Sequence, residues 1–192
     1  SMMKTSPFVA KPMPLQEVML KVAAALVPAI AVAVWAFGVG VLVQIALAVL
    51  VALTTEAACL KLRGYPPKPF LCDGSAVVTA WLVALTFPPV APWWLTVVGV
   101  LFAIVVAKHL YGGLGQNPFN PAMLGYVVVL ISFPLPMTTW PAPHSVGMLA
   151  GIEHIWGLAS LPDGWSQATA LDSLKLNKSL TVDELWAQNP AF

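Results

Sequence analysis

The chain has 192 residues, of which 59% are hydrophobic and only 9% are charged. Soluble domains are roughly 45–50% apolar and about 25% charged, so this composition excludes a soluble globular enzyme and a disordered tail. Nine Lys and Arg residues against eight Asp and Glu residues give a net charge of +1, which excludes a nucleic-acid partner. Two cysteines are too few for a disulfide framework or a four-cysteine metal site. The composition therefore predicts an all-α polytopic membrane protein.

Apolar runs predict about five transmembrane passes, at residues 18–37, 41–60, 75–87, 93–110 and 122–133. A helix needs about 20 apolar residues to span a bilayer, so the third and fifth runs are predicted to be short, broken or tilted helices. Prolines end both of these runs, at Pro88 and Pro134. The chain thus divides into an N-terminal segment at 1–15, a transmembrane region at 16–137 and an extramembrane segment at 138–192.

Basic residues mark one side of the predicted membrane region. With five crossings, seven of them fall on that side: Lys4, Lys11, Lys21, Lys61, Arg63, Lys68 and Lys108. The positive-inside rule makes this side cytoplasmic. The N-terminus is therefore predicted to be cytoplasmic and residues 138–192 extracytoplasmic. The prediction depends on the number of crossings, because a re-entrant segment would place residues 138–192 in the cytoplasm.

A glycine-rich stretch with two Asn-Pro steps lies between the fourth and fifth runs, at residues 112–122. Asn is a favoured helix N-cap and Pro a favoured first helical residue, so Asn120-Pro121 predicts a helix start. The steps at Asn117 and Asn120 together suggest a broken helix whose N-terminal amides face a cavity, as at transporter binding sites. A tight turn at the membrane boundary is the simpler alternative, and the sequence leaves both open.

One acidic residue, Glu56, lies inside a predicted pass, one turn from its end. Intramembrane acids are candidates for an ion path, but neutralisation by the nearby Lys61 or Arg63 is the simpler interpretation. The three histidines are scattered without the spacing of metal ligands, and both cysteines are predicted to be structural. The sequence therefore predicts no metal site.

The segment 161–171 combines a Pro-Asp-Gly turn with small residues that leave Thr169 accessible. No His or Lys lies nearby to act as its base, and a threonine hydroxyl without a base is a weak nucleophile. Thr169 is therefore interpreted as a modification acceptor if it takes part in chemistry. A plain Ser/Thr turn is the simpler alternative.

The stretches at 112–122 and 163–169, with the spacing between them, resemble the D subunit of the Rnf ion-translocating electron-transport complex. The resemblance covers essentially the whole chain and corresponds to the N-terminal half of that subunit. The family is related to the B subunit of the sodium-pumping NADH:quinone reductase. The resemblance implies half of a repeat fold similar to that of urea channels, in a bacterial inner membrane, with residues 138–192 in the periplasm.

This resemblance implies a covalent FMN, joined to the hydroxyl of Thr169 as a phosphoester by a separate flavin transferase. Asp163, Ser166 and Ala168 are the matching motif positions, and Gln167 stands where the motif often has Gly. A second, non-covalent flavin is implied at the membrane core, with no residues assigned to it.

The function implied by the resemblance is that of a redox subunit, non-autonomous and surrounded by membrane lipid. It would pass electrons between ferredoxin and NAD with sister membrane and peripheral subunits, coupled to Na⁺ or H⁺ movement. Glu56, Asn117 and Asn120 are the candidate residues of an ion path or cavity. The alternatives are the sodium-pumping reductase subunit, a small-solute channel or transporter on the same scaffold, and an assembly subunit.

Overall fold

The computed structural model describes residues 15–66, 74–110, 120–141 and 143–158, together with 181, 183 and 184. The regular elements in these residues are helices, and none is a strand. In chain order they are α1 (Leu15–Phe37), α2 (Gly40–Leu62), α3 (Ser75–Thr86), α4 (Trp93–Leu101), a π-helix (Phe102–Leu110), α5 (Pro121–Ser132), α6 (Pro134–Thr138) and α7 (Met148–Ile155).

Two of the helices are long and apolar enough to cross a bilayer. They are Gln16–Phe37, with a mean hydropathy of 2.2, and Gly40–Leu62, with a mean hydropathy of 2.1. A sharp turn at Gly38, where φ is +86°, joins them. Three shorter apolar helices follow, at Ser75–Thr86, Trp93–Ala107 and Pro121–Ser132. The architecture is that of a helical membrane protein, as the composition predicts.

The predicted runs agree closely with the observed helices. The first helix starts at residue 15 rather than 18, and the second ends at residue 62 rather than 60. The third and fifth runs form helices of 12 residues each, which are short, as predicted. The fourth run differs in kind, because it changes from an α-helix to a π-helix after Leu101. Gly74 occupies the N-cap position of α3.

Helix α2 lies at the centre of the described structure and packs against α1, α3, α4, the π-helix and α7. Its core face carries Ala48 and Ala52, which are fully buried. Small residues let helices approach closely, and van der Waals packing is the main attraction between helices in lipid. By contrast, the apolar span of α1 has no buried residue. This helix therefore lies at the edge of the packed structure.

Helices α4 and α5 cross at a pair of glycines. A Cβ atom built on Gly125 would lie 2.5 Å from the carbonyl oxygen of Gly99 and 3.1 Å from Cβ of Ala103. The ring of Phe87 occupies the space where Gly99 would carry its own Cβ. Both positions therefore require the absence of a side chain, because backbone and ring already fill the space.

The turn between α3 and α4 is held in an unusual conformation. Val90 is buried and has φ of +55°, which is rare for a β-branched residue. Its side chain fills space left by Gly40 and Gly151, since a Cβ on either would meet Val90 Cγ1 within 3.2 Å. Gln44 Nε2 donates a hydrogen bond of 3.2 Å to the carbonyl oxygen of Pro88 in the same turn. These contacts fix the turn against the Gly40 end of α2.

The chain after residue 138 returns to the helices rather than leaving them at once. Helix α7 packs on α2, and its last residue, Ile155, is fully buried. At the preceding loop, the backbone N–H of His144 donates a hydrogen bond of 2.7 Å to the carbonyl oxygen of Ala36. The start of the segment 138–192 is therefore attached to the Gly40 end of the helical region.

Candidate functional site

The described residues include two of the candidate site residues, Glu56 and Asn120. The other five candidates lie outside them: Asn117, Asp163, Ser166, Ala168 and Thr169. The site that can be built from the structure is therefore the one around Glu56, together with the start of α5.

Glu56 is buried in the helical core and lies beside a histidine. Its residue exposure is 2%, and its Oε1 atom lies 3.6 Å from Nε2 of His109, within ion-pair distance. The two side chains are 3% and 7% exposed, respectively. A distance of 3.6 Å exceeds that of a good hydrogen bond, so a small approach would be needed to form one. The structure thus brings together two ionisable groups that are 53 positions apart (109 − 56).

Arg63 connects this pair to the exposed end of α2. Its Nη1 atom lies 3.2 Å from Nδ1 of His109, and its guanidinium lies over the ring of Tyr65, 5.1 Å from the centroid. Both Arg63 and Lys61 are exposed. Arg63 thus contacts His109, and the neutralisation of Glu56 by Lys61 or Arg63 stays a prediction.

The π-helix presents His109 to this site. A π-helix forms i→i+5 hydrogen bonds and is rare; short π segments occur frequently at functional sites. This one runs for nine residues, Phe102–Leu110. Because a π turn is wider than an α turn, His109 points in a different direction around the helix axis than it would in an α-helix. The contact between α2 and the π-helix gives His109 a partner that its position in the sequence does not indicate.

Asn120 starts α5 as predicted. Its Oδ1 atom accepts a hydrogen bond of 2.9 Å from the backbone N–H of Ala122, and Pro121 occupies the first helical position. Asn120 also lines a groove of about 190 Å³ between α3 and α5, with Leu82, Thr86, Ala122, Met123 and Tyr126. The helix start is confirmed, and the role of Asn120 in an ion cavity stays a prediction.

A second concave surface lies at the Gly40 end of the helices. It is a cleft of about 240 Å³, with largely apolar walls formed in part by Pro88, Pro92, Leu135, Pro136, Pro141 and His154. Sixteen residues separate Gly40 from Glu56 along α2 (56 − 40), which corresponds to about 24 Å at 1.5 Å per residue. The cleft and the buried acid are therefore separate sites at different depths.

Metal ligation finds no support in the described ranges. No group of three or more His, Cys, Asp or Glu residues within them is arranged to hold a metal ion. Cys59 is half-buried there and forms no disulfide.

The fold and the buried Glu56–His109 pair define a helical membrane protein with an ionisable site inside its helical core. The chain belongs to the NQR2, RnfD, RnfE family, whose model matches residues 2–191. This confirms the resemblance drawn from residues 112–122 and 163–169.

Several bacterial relatives are similar to the chain, and each is named as the D subunit of an ion-translocating oxidoreductase complex. The relative from Ectopseudomonas mendocina is 66% identical over 177 residues, covering 92% of this chain and 52% of the relative. One from Pseudomonas aeruginosa is 59% identical over 176 residues, covering 91% and 51%. One from Escherichia fergusonii is 46% identical over 206 residues, covering 98% and 58%. The chain spans about half the length of these relatives.

Proposed function

We propose that this chain belongs to a membrane subunit of an ion-translocating oxidoreductase complex of the Rnf type. The complex would move electrons between ferredoxin and NAD and couple this transfer to Na⁺ or H⁺ movement. The observation that carries the proposal is the 66% identity, over 92% of the chain, to a relative whose name states this class of complex. Sister membrane and peripheral subunits are the partners that follow, because a subunit of this kind does not act alone.

The proposal includes a covalent FMN on Thr169. The sequence Asp163-Gly164-Trp165-Ser166-Gln167-Ala168-Thr169 supports it, since it resembles the family's flavin-acceptor motif. A flavin transferase would form the phosphoester with the Thr169 hydroxyl, and Asp163, Ser166 and Ala168 would be recognised with it. Flavin supplies a carrier that accepts one or two electrons, while the protein supplies its placement and tuning. A second, non-covalent flavin at the membrane core is part of the same proposal.

The described residues suit such a group at the Gly40 end of the helices. Eleven positions separate Leu158 from Thr169 (169 − 158), so the chain between them extends at most about 36–40 Å. Thr169 is therefore within reach of the apolar cleft beside α7. Proline and leucine side chains line the cleft, with His154 among them, and an apolar surface of this kind suits a flat aromatic ring.

The proposed topology has five passes in a bacterial inner membrane, with the N-terminus cytoplasmic and residues 138–192 periplasmic. The short helices α3 and α5 would belong to half of a urea-channel-like repeat fold. Glu56, Asn117 and Asn120 would line an ion path through it. The position of the buried Glu56 inside an apolar helix supports this, because intramembrane acids commonly mark ion pathways.

One alternative is the B subunit of the sodium-pumping NADH:quinone reductase. The description of the matching family includes NQR2, so membership alone does not separate the two subunits. The names and identities of the relatives above favour the Rnf type.

Flavin fluorescence after denaturation tests the proposal. The full-length subunit is expressed together with a flavin transferase, denatured, separated on a gel and examined for fluorescence. We expect a fluorescent band for the wild type and its loss in Thr169→Ala. Thr181→Ala is the matched control, because it removes another threonine hydroxyl from the same segment and should keep the band.

A band that survives in Thr169→Ala would refute the assignment of the acceptor. No band in any variant, with the transferase active on a control protein, would refute covalent flavin attachment and favour the channel or assembly alternatives.

A further inference from the structure

We propose that helix α7 lies where the membrane meets water and binds lipid through an exposed apolar face. This face comprises Met148, Leu149, Ile152 and Trp156, and we call it the α7 lipid face. The proposal rests on the membrane location of the chain and not on the covalent flavin. It is carried by the position of α7 beside the Gly40 end of α2 and by the exposure of apolar side chains there.

The position of Gly40 sets the depth of α7 in the membrane. Helix α2 has 23 residues, which corresponds to about 34 Å at 1.5 Å per residue, and the hydrocarbon core of a bilayer is about 30 Å thick. Gly40, the first residue of α2, therefore lies at the edge of that core. A Cβ atom on Gly40 would lie 3.7 Å from Cδ1 of Ile155 and 3.8 Å from the carbonyl carbon of Gly151. Helix α7 thus lies at the same depth.

Helix α7 has more apolar surface than its contact with α2 covers. At about 100° per residue, its apolar residues form an arc of about 160° that runs from Gly151 to Leu149. Gly151 and Ile155 occupy one side of this arc, four positions apart, and both are buried. On the rest of the arc, Met148 is 57% exposed, Leu149 70% and Trp156 44%. These three apolar side chains are therefore left open to the surroundings of the helix.

The α7 lipid face adjoins the exposed surface of α1. The backbone N–H of His144 donates its hydrogen bond to the carbonyl oxygen of Ala36, and the His144 ring meets the exposed Trp35 edge to face, with centroids 4.6 Å apart. The loop before α7 is thus held against the end of α1, whose apolar span has no buried residue. Because lipid covers the exposed side of a spanning helix at the edge of a bundle, lipid is also the occupant of the adjoining face of α7.

Tryptophans gather at this end of the helices. Trp35 lies near the end of α1, Trp93 begins α4 and Trp156 is the C-cap of α7. The ring of Trp140 lies 6.3 Å from that of Phe37, measured between centroids. Tryptophan is enriched at the boundary between membrane and water. The distribution therefore places α7 in the interfacial layer rather than in bulk water.

The α7 lipid face binds by apolar contact rather than by charge. Residues 138–158 contain no Lys or Arg, whereas helices that are drawn to anionic lipid carry such residues on their polar face. A zwitterionic lipid is therefore a sufficient partner. The polar side of α7 carries the exposed Glu153 and His154, and His154 lines the apolar cleft. Lipid on the opposite side of the helix leaves that cleft open and keeps the chain leading to Thr169 at the membrane surface.

Labelling from the lipid and oxidation from water together test the proposal. The assembled complex with the full-length subunit is placed in phosphatidylcholine nanodiscs, in which some lipids carry a carbene-forming diazirine near the glycerol. A parallel sample is exposed to hydroxyl radicals, which oxidise methionine and tryptophan where water reaches them. Mass spectrometry locates both modifications. We expect lipid label on Met148 and Leu149, and protection of Met148 and Trp156 from oxidation relative to the unfolded complex.

Two controls accompany this measurement. Val27, exposed in the middle of α1, should take lipid label from a diazirine placed deeper in the acyl chain. In Leu149→Gln, the lipid label on α7 should be lost and the oxidation of Met148 and Trp156 should rise. Glu153→Gln is the matched variant, because it introduces the same amide at the polar edge of the helix and should leave both readouts unchanged.

Three results would overturn the proposal. Oxidation of Met148 and Trp156 to the level of the unfolded complex would place the face in water. Absence of both lipid label and oxidation would mean that another protein surface covers it. Lipid label that is equal in Leu149→Gln and the wild type would assign the label to lipid around α1. The gel fluorescence of the same samples reports the covalent flavin separately, so either proposal can fail without the other.

Discussion

Adding one methyl group at Gly125 tests how the short helix α5 is held against α4. In Gly125→Ala, the new Cβ would lie 2.5 Å from the carbonyl oxygen of Gly99, whereas ordinary van der Waals contact begins at 3.4 Å. The two helices must therefore separate by about 0.9 Å (3.4 − 2.5), because the obstructing atom belongs to the backbone. When two packed surfaces separate by about 0.5–1 Å, each dispersion contact between them loses about a quarter to a half of its attractive energy.

The expected cost follows from two opposing terms. Overpacking of this kind typically lowers the free energy of unfolding by about 1–3 kcal/mol. Replacing glycine by alanine inside a helix raises it by roughly 0.5–1 kcal/mol. The midpoints of these two ranges give a net loss of about 1 kcal/mol in the free energy of unfolding, a factor of roughly 5 in the folded-to-unfolded ratio.

The assay is equilibrium unfolding of the full-length subunit in mixed detergent micelles, followed by tryptophan fluorescence. Gly147→Ser is the control, because nothing lies within 4 Å of a Cβ at Gly147 and serine is favoured at the N-cap position that it occupies. Equal stability of Gly125→Ala and the wild type would show that α4 and α5 are not in contact through this pair, and would refute the reasoning.

Two further predictions concern helix starts. Asn120→Ala removes the hydrogen bond of 2.9 Å to Ala122 N–H and should cost about 1 kcal/mol in the same unfolding assay, while Asn120→Asp should keep most of it. Hydrogen bonds from the backbone N–H and the hydroxyl of Thr181, at 2.9 and 3.0 Å, lower the pKa of Glu184. The contribution of these two hydrogen bonds to local stability is therefore complete at a pH above the ordinary pKa of a glutamate. It is lost as the pH falls through the lowered pKa of Glu184. In the wild type, the protection of the Thr181 amide from hydrogen exchange, measured by NMR, should fall as the pH falls through the lowered pKa of Glu184. In Glu184→Gln, the protection of this amide should not depend on pH once the intrinsic exchange rate is corrected for.

The helical elements could be predicted from sequence because each depends on local information. The apolar runs and the Asn120-Pro121 start are both readable from neighbouring residues, and the structure confirms them within a few positions. The presence of α6 and α7 was missed, since neither forms an apolar run of membrane length. Helix α7 forms where Gly151 and Ile155 pack against α2.

The candidate site was only half predictable. Glu56 could be identified as a candidate from the sequence because an acid in an apolar run is energetically costly. Its partner His109 could not, because it lies on another helix. The apolar sequence before His109 resembles an ordinary α-helix, and nothing in its periodicity indicates the wider π-helical turn. The left-handed conformation of Val90 was missed for a similar reason, because valine rarely adopts it and the groups that hold it, Gly40, Gly151 and Gln44, are distant in the sequence.

The π-helix also makes the direction of His109 depend on how the segment is wound rather than on residue identity alone. Because each π turn contains more residues than an α turn, an α-helix built from the same residues after Leu101 would leave His109 rotated about the axis. The helix would still lie in the same apolar environment, but the imidazole would no longer face Glu56. A substitution that restored α-helical winding in this segment would thus separate the buried acid from Arg63 while Glu56, His109 and Arg63 all remained present.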